Sequence, residues 1–163
     1  MKQLLQQFAA YNVWANNKII DCINNLSDEQ ISREIASSFP SIKKTILHIW
    51  DAEAMWWQRL KLSEKIIRPS DEFDGSFAEL VKKLDQQSNE WKDWVDNATE
   101  IQLQHVFAYQ NTKKEQFKQP VNEMLLHLFN HGTYHRGQLV TMLRQLAVDK
   151  IPATDFIVFS RKK

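Results

Sequence analysis

The chain has 163 residues, 43% of them apolar and 25% charged, with a formal net charge of +1. That length suits one domain with a substantial core, and the near-neutral charge offers no basic excess for nucleic acid or an anionic membrane surface. Three glycines and four prolines are few turn-formers, which favours helix, and single Cys22 has no internal disulfide partner, as expected for a reducing compartment.

The opening "MKQLLQQFAAYNVWANN" lacks the continuous apolar core and small-residue cleavage site of a signal peptide. No run approaches the ~18 apolar residues of a membrane span, so a soluble, cytoplasmic protein is expected. Leu4, Phe8, Tyr11, Ala15, Ile19 and Cys22 recur at intervals of three and four and predict an amphipathic helix ending near "NNLS". Ser27 with Gln30 forms a capping-box pattern for a short helical stretch over 28–35. "SSFPS" breaks the chain, and Ser41 is placed to cap a second long helix. Its stripe runs Ile42, Ile46, Ile49, Glu53, Trp57, Leu60, the glutamate being the odd member.

"RPSDEFDGS" reads as a loop. Ser76 with Glu79 makes another capping box, followed by Phe77, Leu80, Leu84, Ser88, Trp91 and Val95 at helical spacing. The next segment, "IQLQHVFAYQNTKKEQFKQ", changes character: "HVFAY" and "EQFKQ" flank the polar turn "QNTKK" and predict a small β-hairpin. Pro120 suits the first turn of a fourth helix, with the stripe Met124, Leu128, His131, His135, Leu139, Met142. Pro152 ends that region, and "DFIVFS" is expected to be a short extended tail. Four long amphipathic segments in one domain, residues 1–163, most simply make an all-α antiparallel four-helix bundle with a hairpin insertion.

Within "HLFNHGTYHRGQ", histidines fall at 127, 131 and 135, one every four residues and near one helix face. His131 and His135 are members of the apolar stripe, and buried imidazoles need partners for their ring nitrogens. Two histidines at i and i+4 can converge on one divalent ion. His48, in "KTILHIWDAE", falls beside the buried face of the second helix and is the candidate third ligand. The spacing alone leaves the bland alternative open, since such pairs are also surface or hydrogen-bonded core residues. His127 lies at the stripe's edge, where it packs or hydrogen-bonds, and His105 reads as surface.

Several chemistries find no support. HGTYH lacks the glutamate of the HExxH zinc-protease motif. The paired Glu-x-x-His motifs of a di-iron bundle are missing. Neither a glycine-rich phosphate loop nor a serine nucleophile elbow is present.

"SIKKTILHIWDAEAMWW", followed by "LLHLFNHGTYHRGQLVTMLRQL", resembles the DinB family, with "NHxxxHRGQ" as the specific element. "FAAYNVWANNKIID" and "PATDFIVF" resemble it as well, so the likeness spans nearly the whole chain as one DinB-like domain. The resemblance implies a four-helix bundle, often a homodimer, that holds a divalent metal cation on three histidines. Carried over residue by residue, those ligands are His48, His131 and His135. Zinc and nickel lead the metals that such a site accepts.

Three neutral imidazoles leave a tetrahedral ion one open position and its full charge, which suits lowering the pKa of water or of a thiol. Relatives of the family include transferases of small thiols such as bacillithiol and mycothiol. The function implied is metal-dependent transfer of a small-molecule thiol to an electrophilic substrate. A non-catalytic stress-response binder of metal or small ligand and a metal-dependent hydrolase are the alternatives.

Other assignments stay open at the level of sequence. Gln138 is placed to orient His135. Arg136 points about 100° away from it, towards an ion pair with a neighbouring helix or subunit. Asp51 is either an acceptor for His48 or a solvated carboxylate, and Glu53 either lines a polar cavity or meets a buried cation. Trp14, Trp50, Phe107 and Tyr109 are core residues or pocket walls. Trp56 and Trp57, adjacent on a helix, cannot share one narrow stripe, so one meets the hairpin or a second subunit.

Overall fold

The computed structural model describes residues 1–111 and 113–161. Thr112 of the expected turn, and Lys162 and Lys163 beyond the tail, lie outside the described residues. Four long helices dominate: α1 (Lys2–Ile23), α3 (Ile42–Leu60), α4 (Phe77–Asn97) and α6 (Val121–Gln145). Between them lie the short helices α2 (Asp28–Ser32) and α5 (Glu100–Gln104), and a hairpin of β1 (Val106–Gln110) and β2 (Gln116–Pro120). A last helical turn, α7 (Phe156–Ser160), closes the chain.

The expected caps form. Ser27 with Gln30 and Ser76 with Glu79 make complete capping boxes, and the Ser41 hydroxyl accepts from the Lys44 amide. Each satisfies an amide that the first helical turn leaves without a partner. The hairpin pairs antiparallel from Val106↔Pro120 to Gln110↔Gln116. Two local expectations change. "IQLQ" is helical rather than part of the hairpin, because Thr99 and Gln102 form a capping box of their own. The tail is extended only as far as Asp155, beyond which Phe156–Ser160 coil into α7 so that Phe156 stacks on Phe8 at 4.9 Å.

Two apolar clusters fill the bundle, one at each end. One joins Ile19 and Ile23 of α1 to Ile42 and Ile46 of α3, Leu80 and Leu84 of α4, and Leu139 and Met142 of α6. The other joins Leu5 and Ala9 of α1 to Trp91 and Val95 of α4 and Met124 and Leu128 of α6, with Trp57 and Leu60 of α3 packed against it. These memberships fix direction: α1 and α6 run one way, α3 and α4 the other. Helices α1 and α3 each pack on both α4 and α6, so every long helix has one antiparallel and one parallel neighbour. That arrangement requires residues 61–76 to return along the bundle. The return is pinned to α3 at successive heights, by Gln58 to both backbone groups of Ile67, by Asp51 to Ser70 and by Lys43 to the Gly75 carbonyl.

No helix among the described residues is long and apolar enough to cross a membrane. Trp56 sits edge-on to Tyr109 of the hairpin at 4.8 Å, and Trp57 edge-on to Trp91 at 4.9 Å. Trp56 is thus met by the hairpin, one of the two surfaces expected for it, and Trp57 by α4.

Candidate metal centre

Between the two clusters the bundle turns polar. Helix α3 delivers His48 and α6 delivers His131 and His135, whose i, i+4 spacing stacks them on one face. Nε2 of His131 lies 3.1 Å from Nε2 of His48 and 3.0 Å from Nε2 of His135. One ligating nitrogen from each ring falls within 4.8 Å of the others, forming the metal-competent histidine cluster of the described residues.

Protons alone do not satisfy this arrangement. Gln138 turns its amide nitrogen to the hydroxyls of Ser38 at 3.0 Å and Tyr134 at 3.2 Å, which directs Oε1 at His135 Nδ1, 2.7 Å away. A carbonyl oxygen only accepts, so Nδ1 carries the proton and Nε2 of His135 keeps its lone pair. His131 Nε2 then has a single proton to offer and two nitrogen neighbours to meet. A cation that accepts all three lone pairs removes the conflict. Nitrogens sharing an ion at about 2.0–2.1 Å stand about 2.9–3.4 Å apart between octahedral and tetrahedral angles, and both short separations fall in that interval. The residues fit a divalent ion.

Electrostatics keep the imidazoles neutral. Burial, with His135 and Arg68 adding repulsion, lowers His48 to about 4. Burial and the surrounding histidines lower His131 to about 3. Burial lowers His135 as well, against the opposing pull of Gln138. A neutral ring is the ligating form, so the site stands ready at neutral pH. Phe39 stacks on the His48 ring at 4.0 Å and 21° and meets His135 edge-on at 5.7 Å, shielding the cluster from the side of the α2–α3 loop.

Residues 1–161 match the DinB family. Protein DinB of Bacillus subtilis (strain 168) is 32% identical over 162 residues, covering 90% of this chain and 87% of that one. The chain belongs to the DinB family. Among solved structures, YfiT from Bacillus subtilis, described as a probable metal-dependent hydrolase with an unusual four-helix bundle topology, superposes with a TM-score of 0.71 at 16% identity, covering 91% of each chain. A DinB-like protein from Bacillus cereus superposes with a TM-score of 0.67 at 20% identity, over 88% of this chain and 91% of that one. At these identities the superpositions speak for the fold.

Other residues of this DinB chain fall in definite places. His127 is outside the cluster, edge-on to Trp56 at 5.7 Å, and His105 is exposed. Asp51 does not reach His48: it is buried and accepts from the Ser70 amide at 2.8 Å and hydroxyl at 2.6 Å, anchoring the return loop. Phe107 is core, Trp50 packs edge-on to Phe73, and Trp14 lies against Tyr11 and Phe159 near the tail. Tyr109 lines clefts beside the hairpin.

Arg136 reaches a neighbouring helix as expected, but it meets asparagines there rather than an acid. It is 2% exposed and points across the core to α1, donating from Nη1 to Asn12 and Asn16 Oδ1, both at 2.8 Å, and from Nη2 to Thr133. Asn12 in turn donates to Glu53 Oε1 at 2.9 Å, and Ser88 donates to Oε2 at 2.7 Å. Glu53 thus meets its buried cation through an asparagine. Burial raises its carboxyl to about 7, against the pull of Ser88, Asn12 and the Arg136 charge. The sequence signal was present: Asn12 and Asn16, four apart, interrupt an otherwise apolar face. It was obscured because the core face of α1 centres on Leu5, Ala9, Asn12, Asn16 and Ile19, whereas Leu4 is exposed.

Proposed function

We propose that this chain is a metal-dependent enzyme whose His48, His131 and His135 hold one divalent cation, and that it transfers a small thiol to an electrophilic substrate. The convergence of three Nε2 atoms that protons cannot satisfy carries the reading. A divalent ion on three neutral imidazoles keeps its charge and lowers the pKa of a thiol or water brought to it. The protein's own contribution is orientation and exclusion. Gln138 fixes the His135 tautomer, and Phe39 covers the His48 ring.

In the transfer, the thiol sulfur forms a bond to the electrophilic carbon and the leaving group departs with its electron pair, while the thiol proton passes to solvent. No dedicated protein base is needed. The one carboxylate lining the cleft beside His48 is Asp51, and both its oxygens are engaged by Ser70. Cys22 is no candidate nucleophile: burial raises its thiol, and Sγ faces the Lys150 carbonyl at 3.7 Å.

The test pairs mass spectrometry of natively purified protein, for metal and retained small molecules, with conjugation of a chromogenic electrophile to a panel of thiols. A rate that needs both metal and thiol supports the reading. Metal-dependent turnover without thiol would favour hydrolysis, the activity suggested for YfiT. Absence of metal-dependent turnover of either kind would leave a binding protein.

A further inference from the structure

A cleft of about 480 Å³ lies beside His48, the histidine of the cluster that lines it, and falls within the range of about 300–1,000 Å³ typical of small-molecule sites. His48 belongs to both the cluster and the cleft wall, and Phe39, stacked on its ring, belongs to the wall. Leu47, Ala52 and Met55 make the rest of the apolar surface, and Lys44 and Arg68 bring two positive charges from different segments, α3 and the return loop. The single acid of the wall, Asp51, offsets them only in part, leaving one positive charge in excess among the lining residues. Asp51 lines the cleft but is itself largely buried, with both oxygens taken by Ser70, and burial raises its carboxyl against the pull of Ser70 and of the Arg68 charge. Arg68 has one long contact, to Asp71 at 3.8 Å, and Lys44 takes part in no ion pair among the described residues. The cleft beside the hairpin is different, because its Arg59 is already bonded to the Gln110 carbonyl and packed over Trp56.

An apolar trough with two cations at its mouth selects one kind of occupant. We propose that the cleft beside His48 binds a small organic acid, its carboxylate held by Lys44 and Arg68 and its apolar body lying on Phe39, Leu47 and Met55. This deepens the metal-dependent reading by giving the substrate a charge and an entry side. Arg68 supplies a planar fork that matches a carboxylate, and Lys44 a point charge beside it. The aromatic face of Phe39 lets the body of the ligand lie next to the histidines without displacing Gln138.

Calorimetry on the full-length chain, both metal-loaded and chelator-stripped, tests this with 4-phenylbutyrate and its neutral amide as probes. The acid is expected to bind both forms, and the amide on the order of tenfold more weakly, the effect of two exposed charge contacts. Lys44→Gln with Arg68→Gln should remove that preference while metal content and helix content stay unchanged, since both side chains are exposed. Added salt should weaken the acid and spare the amide. Equal affinity for acid and amide, no binding of the acid, or full affinity in the double variant would each overturn the proposal. Binding of the acid to the loaded protein alone, indifferent to Lys44 and Arg68, would overturn it too by placing the carboxylate on the ion. Cation-dependent binding in a protein that takes up no metal would keep the cleft and remove the metal reading.

Discussion

Replacing Arg136 by Met keeps the length of the side chain and removes its charge, and the structure sets how much that should cost. The guanidinium donates three hydrogen bonds, to Asn12, Asn16 and Thr133, and is the cation that offsets buried Glu53. Removing one partner of a buried charge pair strands the other and costs about 3–5 kcal/mol. In a chain of this size that lowers the melting temperature by roughly 6–20 °C. The loss should also carry a pH signature. Glu53 is raised in the folded state, from 4.5 to about 7, so the folded protein binds a proton where the unfolded chain does not. Stability from this group is therefore greatest at low pH and falls as pH rises from 4.5 through about 7. Without Arg136 the folded value climbs further, so the deficit relative to wild type should widen between pH 5.5 and pH 8.5. Glu53→Gln in the Arg136→Met background should recover about 1–3 kcal/mol beyond additivity. Urea unfolding of metal-free protein, followed by circular dichroism, reads all of this. A loss below about 1 kcal/mol, or additive behaviour of the two substitutions, would refute the claim that the pair is energetically one unit.

Three further outcomes are expected. His48→Ala, His131→Ala and His135→Ala should each lose bound metal while His127→Ala retains it, and undiminished metal in His131→Ala by elemental analysis would sink the ligand assignment. Burial lowers His48 to about 4 and His131 to about 3 from 6.5, so as pH falls the unfolded chain takes up protons first. Unfolding stability of the stripped protein should accordingly decline from about pH 6.5 downwards, and a stability unchanged between pH 7 and pH 5 in the Glu53→Gln background would count against neutral buried rings. Cys22→Ser should leave any thiol-transfer rate intact, and a rate lost with the fold preserved would move the nucleophile to the protein.

The fold was readable where one physical signal dominates. Each long helix has apolar residues at helical spacing, three of the four have a side-chain cap at the start or a proline just before it, and each lies within a few residues of its expected place. Helix direction was not readable, because it depends on residues 61–76 returning along α3. The anchors of that return, Gln58, Asp51 and Lys43, look in sequence like ordinary surface polar residues. The imidazole cluster was legible because histidine inside an apolar stripe calls for a partner, and His48 stood at the right edge of the facing helix. Phe39 and the two cations of the cleft were not, since they lie in a loop or on an exposed helix face where no periodicity marks them. The direction of Arg136, towards a neighbouring helix, was legible, but its deep burial was not. Being about 100° from His135 places it away from the histidine face, but α6 packs on both α1 and α3, so two of its faces are inside.

The same crowding gives a substitution whose sign separates packing from helix propensity. Helix α6 carries two glycines in its middle, and alanine in a helix interior is ordinarily favoured over glycine by about 1 kcal/mol. Around Gly137 nothing lies within 4 Å of where a Cβ would stand, so Gly137→Ala should stabilise the protein by roughly that amount. At Gly132 a Cβ would lie 2.8 Å from Asn12 Oδ1 and 3.0 Å from Arg136 Nη1. Those atoms end side chains that could swing aside elsewhere. Here they bond each other at 2.8 Å, Asn12 is held at its other end by Glu53, and Arg136 by Asn16. Gly132→Ala must therefore break or stretch one of the two bonds by which Arg136 joins α6 to α1, stranding buried polar groups at about 1–3 kcal/mol, which outweighs the propensity gain. The shift is transmitted to His131, the preceding residue, and to His135, three residues on, whose Nε2 atoms stand 3.0 Å apart. Metal affinity should fall in Gly132→Ala and hold in Gly137→Ala, read by competition with a chromophoric chelator. Were Gly132→Ala as stabilising as Gly137→Ala, the Asn12–Arg136 contact would be adjustable, and the polar belt would not be what fixes the rotation of α6 against the histidine of α3.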